Sequence, residues 1–311
     1  MATGKLAYIA LVSNDVDATC TVLGKHLGLP RNDLQGASGG ATVPVFSIGR
    51  SALAVFAPGD PMVDGHERPG LHHMALAVDD LDRAIGQLQG TGLAPVAGTP
   101  VHGLGGRERY LLPPERTCGL RTCLTRPLEL APHPAGIIER IDHVGVASTD
   151  VRAAEAVFSG KLGFEVESRQ TDMEVSMAIE SFTSDKYGVV YHNRKPEPVG
   201  GLRVVFITVG DCELEFLANF DPRQSGEVEH GRPGDTRQDQ GAITRFVQSR
   251  GQGLHHLALK APDIDATLSR LHQAGVPMID LTGRPGSRRA RIGFAHPKGL
   301  GGILMHVVER S

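Results

Sequence analysis

Gly253–Leu271 reads GLHHLALKAPDIDATLSRL, and Gly70–Leu88 reads GLHHMALAVDDLDRAIGQL. Two weaker versions of the phrase begin at Leu6 (LAYIALVSNDVDATCTVLGKHLGL) and at Ile141 (IDHVGVASTDVRAAEAVFSGKLGF). Superposed, the four place Tyr8, His73, His143 and His256 in register, and seven residues later each has an aspartate: Asp15, Asp80, Asp150 and Asp263. Self-similarity of this kind marks a fold built from repeated units. Each phrase opens with the apolar, partly alternating run of a buried strand. The aspartate suits a helix cap or first turn, where a carboxylate accepts orphan N–H bonds and meets the positive end of the dipole. In the third phrase Val151, Ala154, Val157 and Phe158 share one helical face, and Gly163 ends the helix. Extended runs such as LRVVFITVGDCELEFLANF follow, broken by Gly or Asp-Cys turns. Each unit is therefore βαβββ.

Four such units make two pairs. The first covers 1–130, with modules 1–65 and 70–128; the second covers 140–311, with modules 140–222 and 253–311. The proline-bearing RPLELAPHPAGIIER joins them. The fold class is α+β, and 311 residues give room for two cores. Hydrophobic content of 40% and charged content of 22% read as an ordinary soluble globular chain. A net charge of −3 gives no basic footprint for nucleic acid or an anionic membrane. Cys20, Cys118, Cys123 and Cys212 lack zinc-ribbon spacing and are too sparse for a disulfide scaffold. The first apolar run soon meets Asp15, so it reads as neither a signal peptide nor a spanning helix. A cytoplasmic protein is the expectation.

Four βαβββ units with a histidine on a module's first strand resemble the vicinal oxygen chelate superfamily. Within it, the C-terminal half is most similar to the methylmalonyl-CoA epimerases. RIDHVGVAS, VVFITVGDCELEFL, AITRFVQSRGQGLHHLALKAPDIDATLSRLHQAGVPMID and RPGSRRARIGFAHPKGLGGILMHVVE carry that similarity. The resemblance implies tandem domains, each a mixed sheet curled into a half-open cup with helices outside. It also implies one divalent metal ion held by side chains from the first and last strands of paired modules. Carried over, the ligands are His143, Glu215 in CELEFL, His256, and His306 in LMHVVE. Strand alternation places His256 on the face of His143 and leaves His255, like Asp142, on the opposite face. Imidazole and carboxylate suit Co, Ni, Mn, Zn or Fe(II). His306 departs from the epimerase pattern, which has glutamate there. The equivalent positions of the first half are Tyr8, Ala54, His73 and Cys123. That set is a poor metal site, so 1–130 reads as a degenerate domain replacing the second subunit that simpler members recruit.

Residues 163–202 run longer than the epimerase pattern and read as a strand, a turn at Asp185–Gly188 and another strand. Glu174 and Glu180 lie within this segment. Val204 stands near the place of the epimerase's catalytic glutamate. The polar stretch 221–241 reads as a surface loop, with a lid as one role for it. Arg284, Arg288, Arg289, Arg291 and Lys298 make either a phosphate-facing rim or a solvated loop.

A divalent ion with open positions binds two neighbouring substrate oxygens and stabilises the enolate left when an α proton departs. The expected activity is therefore a metal-dependent isomerase or epimerase acting on a carbonyl substrate with vicinal oxygens, an acyl-CoA among the candidates. His306, Glu174 and Glu180 are the candidate proton-transfer groups. A non-haem Fe(II) dioxygenase acting on a catechol-like or 2-oxo acid substrate is the alternative. A ligand-binding resistance protein is a third. No nucleic-acid or membrane partner is expected, and a homodimer is compatible with the sequence.

Overall fold

The computed structural model describes residues 4–36, 41–96, 100–134, 136–176, 179–184, 186, 188–193, 197–220 and 241–310. Side chains at 172–185, 187–199 and 220 lie outside the described set. The first half forms β1 (Lys5–Val12), β2 (Arg31–Gln35), β3 (Thr42–Ile48), β4 (Ser51–Phe56), β5 (Gly70–Ala77), β6 (Val101–His102), β7 (Glu108–Leu111) and β8 (Thr122–Thr125). They make one mixed sheet in the order β2-β3-β4-β1-β5-β8-β7-β6. The second half forms β9 (Arg140–Ala147), β10 (Glu165–Ser176), β11 (Ile179–Ser184), β12 (Gly188–Asn193), β13 (Glu197–Val209), β14 (Cys212–Phe220), β15 (Gly253–Lys260), β16 (Arg284–Pro285), β17 (Arg291–Ala295) and β18 (Met305–Glu309). Its sheet repeats the first, in the order β10-β13-β14-β9-β15-β18-β17-β16. Each is a curled half-barrel of two modules, as the repeats imply. The inserted segment gives the expected strand–turn–strand, since β11 and β12 pair only with each other, as a separate ribbon.

The central strands are covered on both faces. β1 and β9 are buried along seven residues each beyond their first, which explains their near-continuous apolar sequence. The helices are α1 (Val16–Thr21), α2 (Leu81–Leu88), α3 (Val151–Glu155), α4 (Ala242–Arg250) and α5 (Ile264–Gln273); α4 covers the inner face of the second sheet, where Ile243 packs with Leu202, Phe206 and Leu217. All four repeated aspartates are helix caps. Asp15, Asp80, Asp150 and Asp263 accept from the backbone N–H of Ala18, Arg83, Arg152 and Ala266 at 2.9–3.0 Å. α3 continues as a π-helical turn over Ala156–Lys161, and Gly163 (φ 79°) reverses the chain after it. Ala154 and Phe158 are fully buried, whereas Val151 and Val157 are half-buried.

One hydrophobic cluster runs through both halves, from Leu23 and Phe46 to Phe158, Phe216 and Leu268. Polar ties cross the same junction. Asn14 N donates to Gly301 O at 2.9 Å, Arg50 N to Asp211 Oδ2 at 2.8 Å, and Arg270 Nε to His26 O at 2.7 Å. Among the described residues no helix is long and apolar enough to cross a membrane.

Candidate metal centre in the C-terminal cup

β9, β14, β15 and β18 are adjacent in the second sheet, and each sends one polar side chain into its cup. In register, Gly145 sits between Glu215 on β14 and His256 on β15, and Ala258 sits between His143 on β9 and His306 on β18. Four residues spread over 164 positions of sequence therefore share one patch of sheet. All four are buried. The ligand atoms of His143, His256 and His306 lie within 4.8 Å of one another. Glu215 Oε2 is 3.4 Å from His143 Nε2 and 3.3 Å from His256 Nε2.

Polar contacts fix how the four side chains face one another. His143 Nδ1 is 2.7 Å from Asp142 Oδ1. An ionised carboxylate only accepts, so His143 donates from Nδ1, which turns its Nε2 into the cup. That Nε2 faces Glu215. His256 is oriented the same way, its Nδ1 engaged with His255 Nδ1 at 2.9 Å and its Nε2 turned inward. Donor atoms about 2.1 Å from a common ion stand roughly 3–4 Å apart, a spacing that Glu215 Oε2 keeps from the Nε2 atoms of His143 and His256. The set of three imidazoles and one carboxylate suits a divalent transition ion.

The ionisation states agree. Burial alone would raise the Glu215 carboxyl, but His143, His256 and Arg288 outweigh it and hold it at about 2. Burial likewise opposes ionisation of Asp142, yet His143, Arg310 and Arg140 bring it to about 2. Burial pushes the His256 imidazole down, partly offset by Glu215, and drives His306 well below its ordinary range. Both are thus neutral at neutral pH, the form that binds metal. His306 packs on Phe294 (centroids 4.5 Å), and its Nδ1 is buried with no hydrogen-bond partner among the described residues.

Strand alternation is broken at two points beside the site. The β9–β15 ladder pairs His256 with Gly145 and Leu254 with Val146, then Ala258 with His143 and Leu259 with Ile141, so His255 and Asp142 are bulged out of it. A bulge re-aims the side chain of the extra residue. Hence neither residue serves the far face, as period two requires; each hydrogen-bonds the ligand histidine after it. His255 also lines the cavity. These outer partners escaped the alternation argument, as did Gly145. A Cβ there would stand 2.1 Å from Cε1 and 2.3 Å from Nδ1 of His256. A lone glycine inside the strand HVGVA was the available signal, since it marks a close approach.

A cavity of about 290 Å³ opens over the four residues. Leu202, Leu217, Ile243, Ile279, Ile292 and Phe294 give it apolar walls, with Ser287, Arg284 and Arg310 at its polar side. Arg310 donates to Asp142 Oδ1 at 2.8 Å. Glu215 is the sole carboxylate among the lining residues. Val204 is buried in the apolar cluster of Leu202, Phe206 and Leu217. Glu174 and Glu180 fall in β10 and β11, but their side chains lie outside the described residues, as does nearly all of 221–241. The basic stretch is largely neutralised within the chain. Arg284 pairs with Asp280 at 3.2 Å and Arg291 with Asp265 at 2.6 Å. Arg288 pairs with Glu167 and Glu213 and stacks 3.5 Å over the Phe206 ring. Only Arg289 and Lys298 of that stretch are exposed.

The N-terminal cup holds a different network at the same positions. His73 Nε2 is 3.2 Å from Tyr8 Oη and 3.5 Å from an Arg109 nitrogen, and its Nδ1 is 2.8 Å from His72 Nδ1. Both ring nitrogens of His73 are thus engaged by the protein. Ala54 offers no donor atom, and burial raises the Cys123 thiol to about 11, away from the thiolate that binds metals.

A repeated βαβββ sheet with donors gathered in its cup defines a class, and family models bear this out. The model of the glyoxalase/bleomycin resistance protein/dioxygenase superfamily matches residues 5–121 and again 142–294. The chain belongs to that superfamily, with two such domains in tandem. Among individual relatives, it is 28% identical over 176 residues to an ethylmalonyl-CoA/methylmalonyl-CoA epimerase of Cereibacter sphaeroides, covering 56% of this chain and 99% of the relative. The human mitochondrial methylmalonyl-CoA epimerase is 23% identical over 186 residues, 60% of this chain and 82% of that one. A mutant of 4-hydroxymandelate synthase from Streptomyces coelicolor shares the fold over 100% of this chain and 94% of its own, with a TM-score of 0.64 at 17% identity.

Proposed function

We propose that this chain is a metal-dependent isomerase or epimerase acting on a carbonyl substrate with vicinal oxygens, an acyl-CoA thioester being one such substrate. The observation that carries the reading is the inward convergence of His143, Glu215, His256 and His306, with the Nε2 atoms of His143 and His256 both facing the Glu215 carboxylate. These four would hold the ion. Its chemistry, when bound, is Lewis acidity toward the substrate oxygens, which stabilises the negative charge developing as an α proton leaves. Asp142 and His255 orient the two imidazoles, so the donors need no rearrangement on binding. Apolar walls exclude water from the reacting carbon. Arg310 and Arg284 face the cavity as cations for an anionic substrate group. Burial holds His306 neutral, which suits a fourth ligand better than a base, and His306, Glu174 and Glu180 are the candidates for the proton-transfer group. Similarity to the CoA-ester epimerases supports this reading.

A non-haem Fe(II) dioxygenase is the second reading. His143, His256 and Glu215 alone make a two-histidine, one-carboxylate set, and the shared fold with 4-hydroxymandelate synthase spans the whole chain. Elemental analysis of protein purified without added metal separates the two. Cobalt, nickel, manganese or zinc, with solvent deuterium entering the α position of an acyl-CoA, supports the first. Iron, with O2 uptake on substrate addition, replaces it with the second. Absence of any bound metal under all loading conditions overturns both and leaves a ligand-binding protein.

A further inference from the structure

Away from the metal centre, where the two halves meet, lies a second polar cavity of about 80 Å³. Three arginines line it from three segments: Arg68 before β5, Arg121 before β8 and Arg250 at the end of α4. His66 and His72 add two imidazoles, and no carboxylate lines it among the described residues. Arg250 donates to Pro69 O at 2.9 Å and Arg68 to Ser249 O at 3.2 Å. These bonds cross the junction and draw the two cations together, while each guanidinium keeps further N–H groups. Like charges brought together without an acid repel.

A buried imidazole supplies the second observation. His72 is 4% exposed, its Nδ1 meets His73, and its Nε2 is buried with no partner among the described residues. Buried polar atoms are nearly always paired. His66 packs against the same ring at 5.2 Å. Burial, then Arg121, Arg250 and Arg68, push the His66 imidazole below its ordinary value, which registers the positive field there.

We propose that this junction binds a tetrahedral oxyanion of the phosphate class, held by Arg68, Arg121 and Arg250 with His72 behind them. The cavity is far smaller than the one over the metal centre, about 80 Å³ against about 290 Å³, a size that suits a compact anion. Planar guanidinium forks match phosphate oxygens in geometry as well as charge. The site is independent of the metal centre and stands whatever that centre catalyses.

Calorimetric titration of the full chain tests it, with inorganic phosphate in one arm and coenzyme A in the other. One equivalent of phosphate should bind saturably, and Arg121→Gln and Arg250→Gln should each weaken it about tenfold, the loss of one charge-assisted hydrogen bond. His256→Ala should bind phosphate unchanged. Arg121 is exposed, so Arg121→Gln should fold with an unaltered unfolding midpoint in phosphate-free buffer, and that variant decides the matter if Arg250→Gln does not fold. Tighter coenzyme A binding with the same Arg121 dependence assigns the site to a phosphate ester; binding of phosphate alone assigns it to the free anion. No saturable binding of either, undiminished binding to Arg121→Gln, or loss of binding in His256→Ala overturns the proposal.

Discussion

The two cups are built on one backbone and differ in which way their polar atoms face. Both have a histidine pair on the strand after the first βαβββ unit, and both ladders bulge at the same two places: Ala7 and His72 in one, Asp142 and His255 in the other. The differences are few. Tyr8 stands for His143, Ala54 for Glu215, Cys123 for His306 and Ala10 for Gly145. Arg109 occupies the ladder position of Ile292. In the C-terminal cup three imidazoles and a carboxylate face one another, a set able to hold a cation from outside. In the N-terminal cup the Tyr8 hydroxyl and the Arg109 guanidinium supply donors to His73, and the positive charge is part of the chain. The scaffold is indifferent to this choice, because its stability comes from apolar faces buried between strands and helices. Chemistry can therefore be gained or lost at a handful of inward positions without a change of fold.

That contrast is open to direct attack. The largest effect is expected from His256→Ala and Glu215→Ala, each losing most of one equivalent of bound metal by elemental analysis, while His73→Ala loses none. Retention of a full equivalent in His256→Ala would falsify the ligand assignment. Gly145→Ala should follow, because its methyl group displaces the His256 ring; we expect well over tenfold weaker metal binding in competition with a chelator, and no change for Ala10→Gly. Asp142→Asn, which removes the acceptor that orients His143, should weaken metal binding by about 10–100-fold, with a folded far-ultraviolet spectrum. Arg109→Met should leave metal content untouched. It strips the partner from Met62 O (3.1 Å) and His102 O (3.0 Å), and denaturant unfolding should show a loss of about 1–3 kcal/mol.

The smallest effect is on pH dependence. Burial, then Arg121, hold the His72 imidazole at about 3, against an ordinary 6.5. Unfolding therefore takes up a proton below pH 6.5. Stability from this group is fully present above 6.5 and declines as pH falls from there toward 3. His72→Gln should flatten that part of the stability–pH curve, and an unchanged slope would remove His72 from the account.

Much of this was legible in the primary structure, for a definite reason. Repetition exposes equivalence: once four phrases are superposed, His143 and His256 stand out against Tyr8, and the four aspartates declare themselves as helix caps. What stayed hidden depends on exceptions to period two. No pattern in GLHH or RIDH marks which residue leaves the ladder, so His255 and Asp142 were placed on the wrong face. The choice between a phosphate-facing rim and a solvated loop for the basic stretch was hidden for a related cause. RPGSRRAR looks basic along the chain, but Glu167, Glu213, Asp265 and Asp280, distant in sequence or beyond a turn, neutralise three of its arginines.

From its residues alone, then, the chain determined a fourfold βαβββ plan, its pairing into two sheets, and which half carries imidazole and carboxylate at equivalent strand positions. Those features follow from local periodicity and from repeats, which are properties of order along a polymer. The tertiary structure decided that the donors point at one another, that bulged neighbours steady them, that a missing Cβ makes room for a ring, and that Arg109 fills the other cup. Each of these is a matter of distance between groups far apart in sequence, and only the closing of the sheet brings them within a few ångströms.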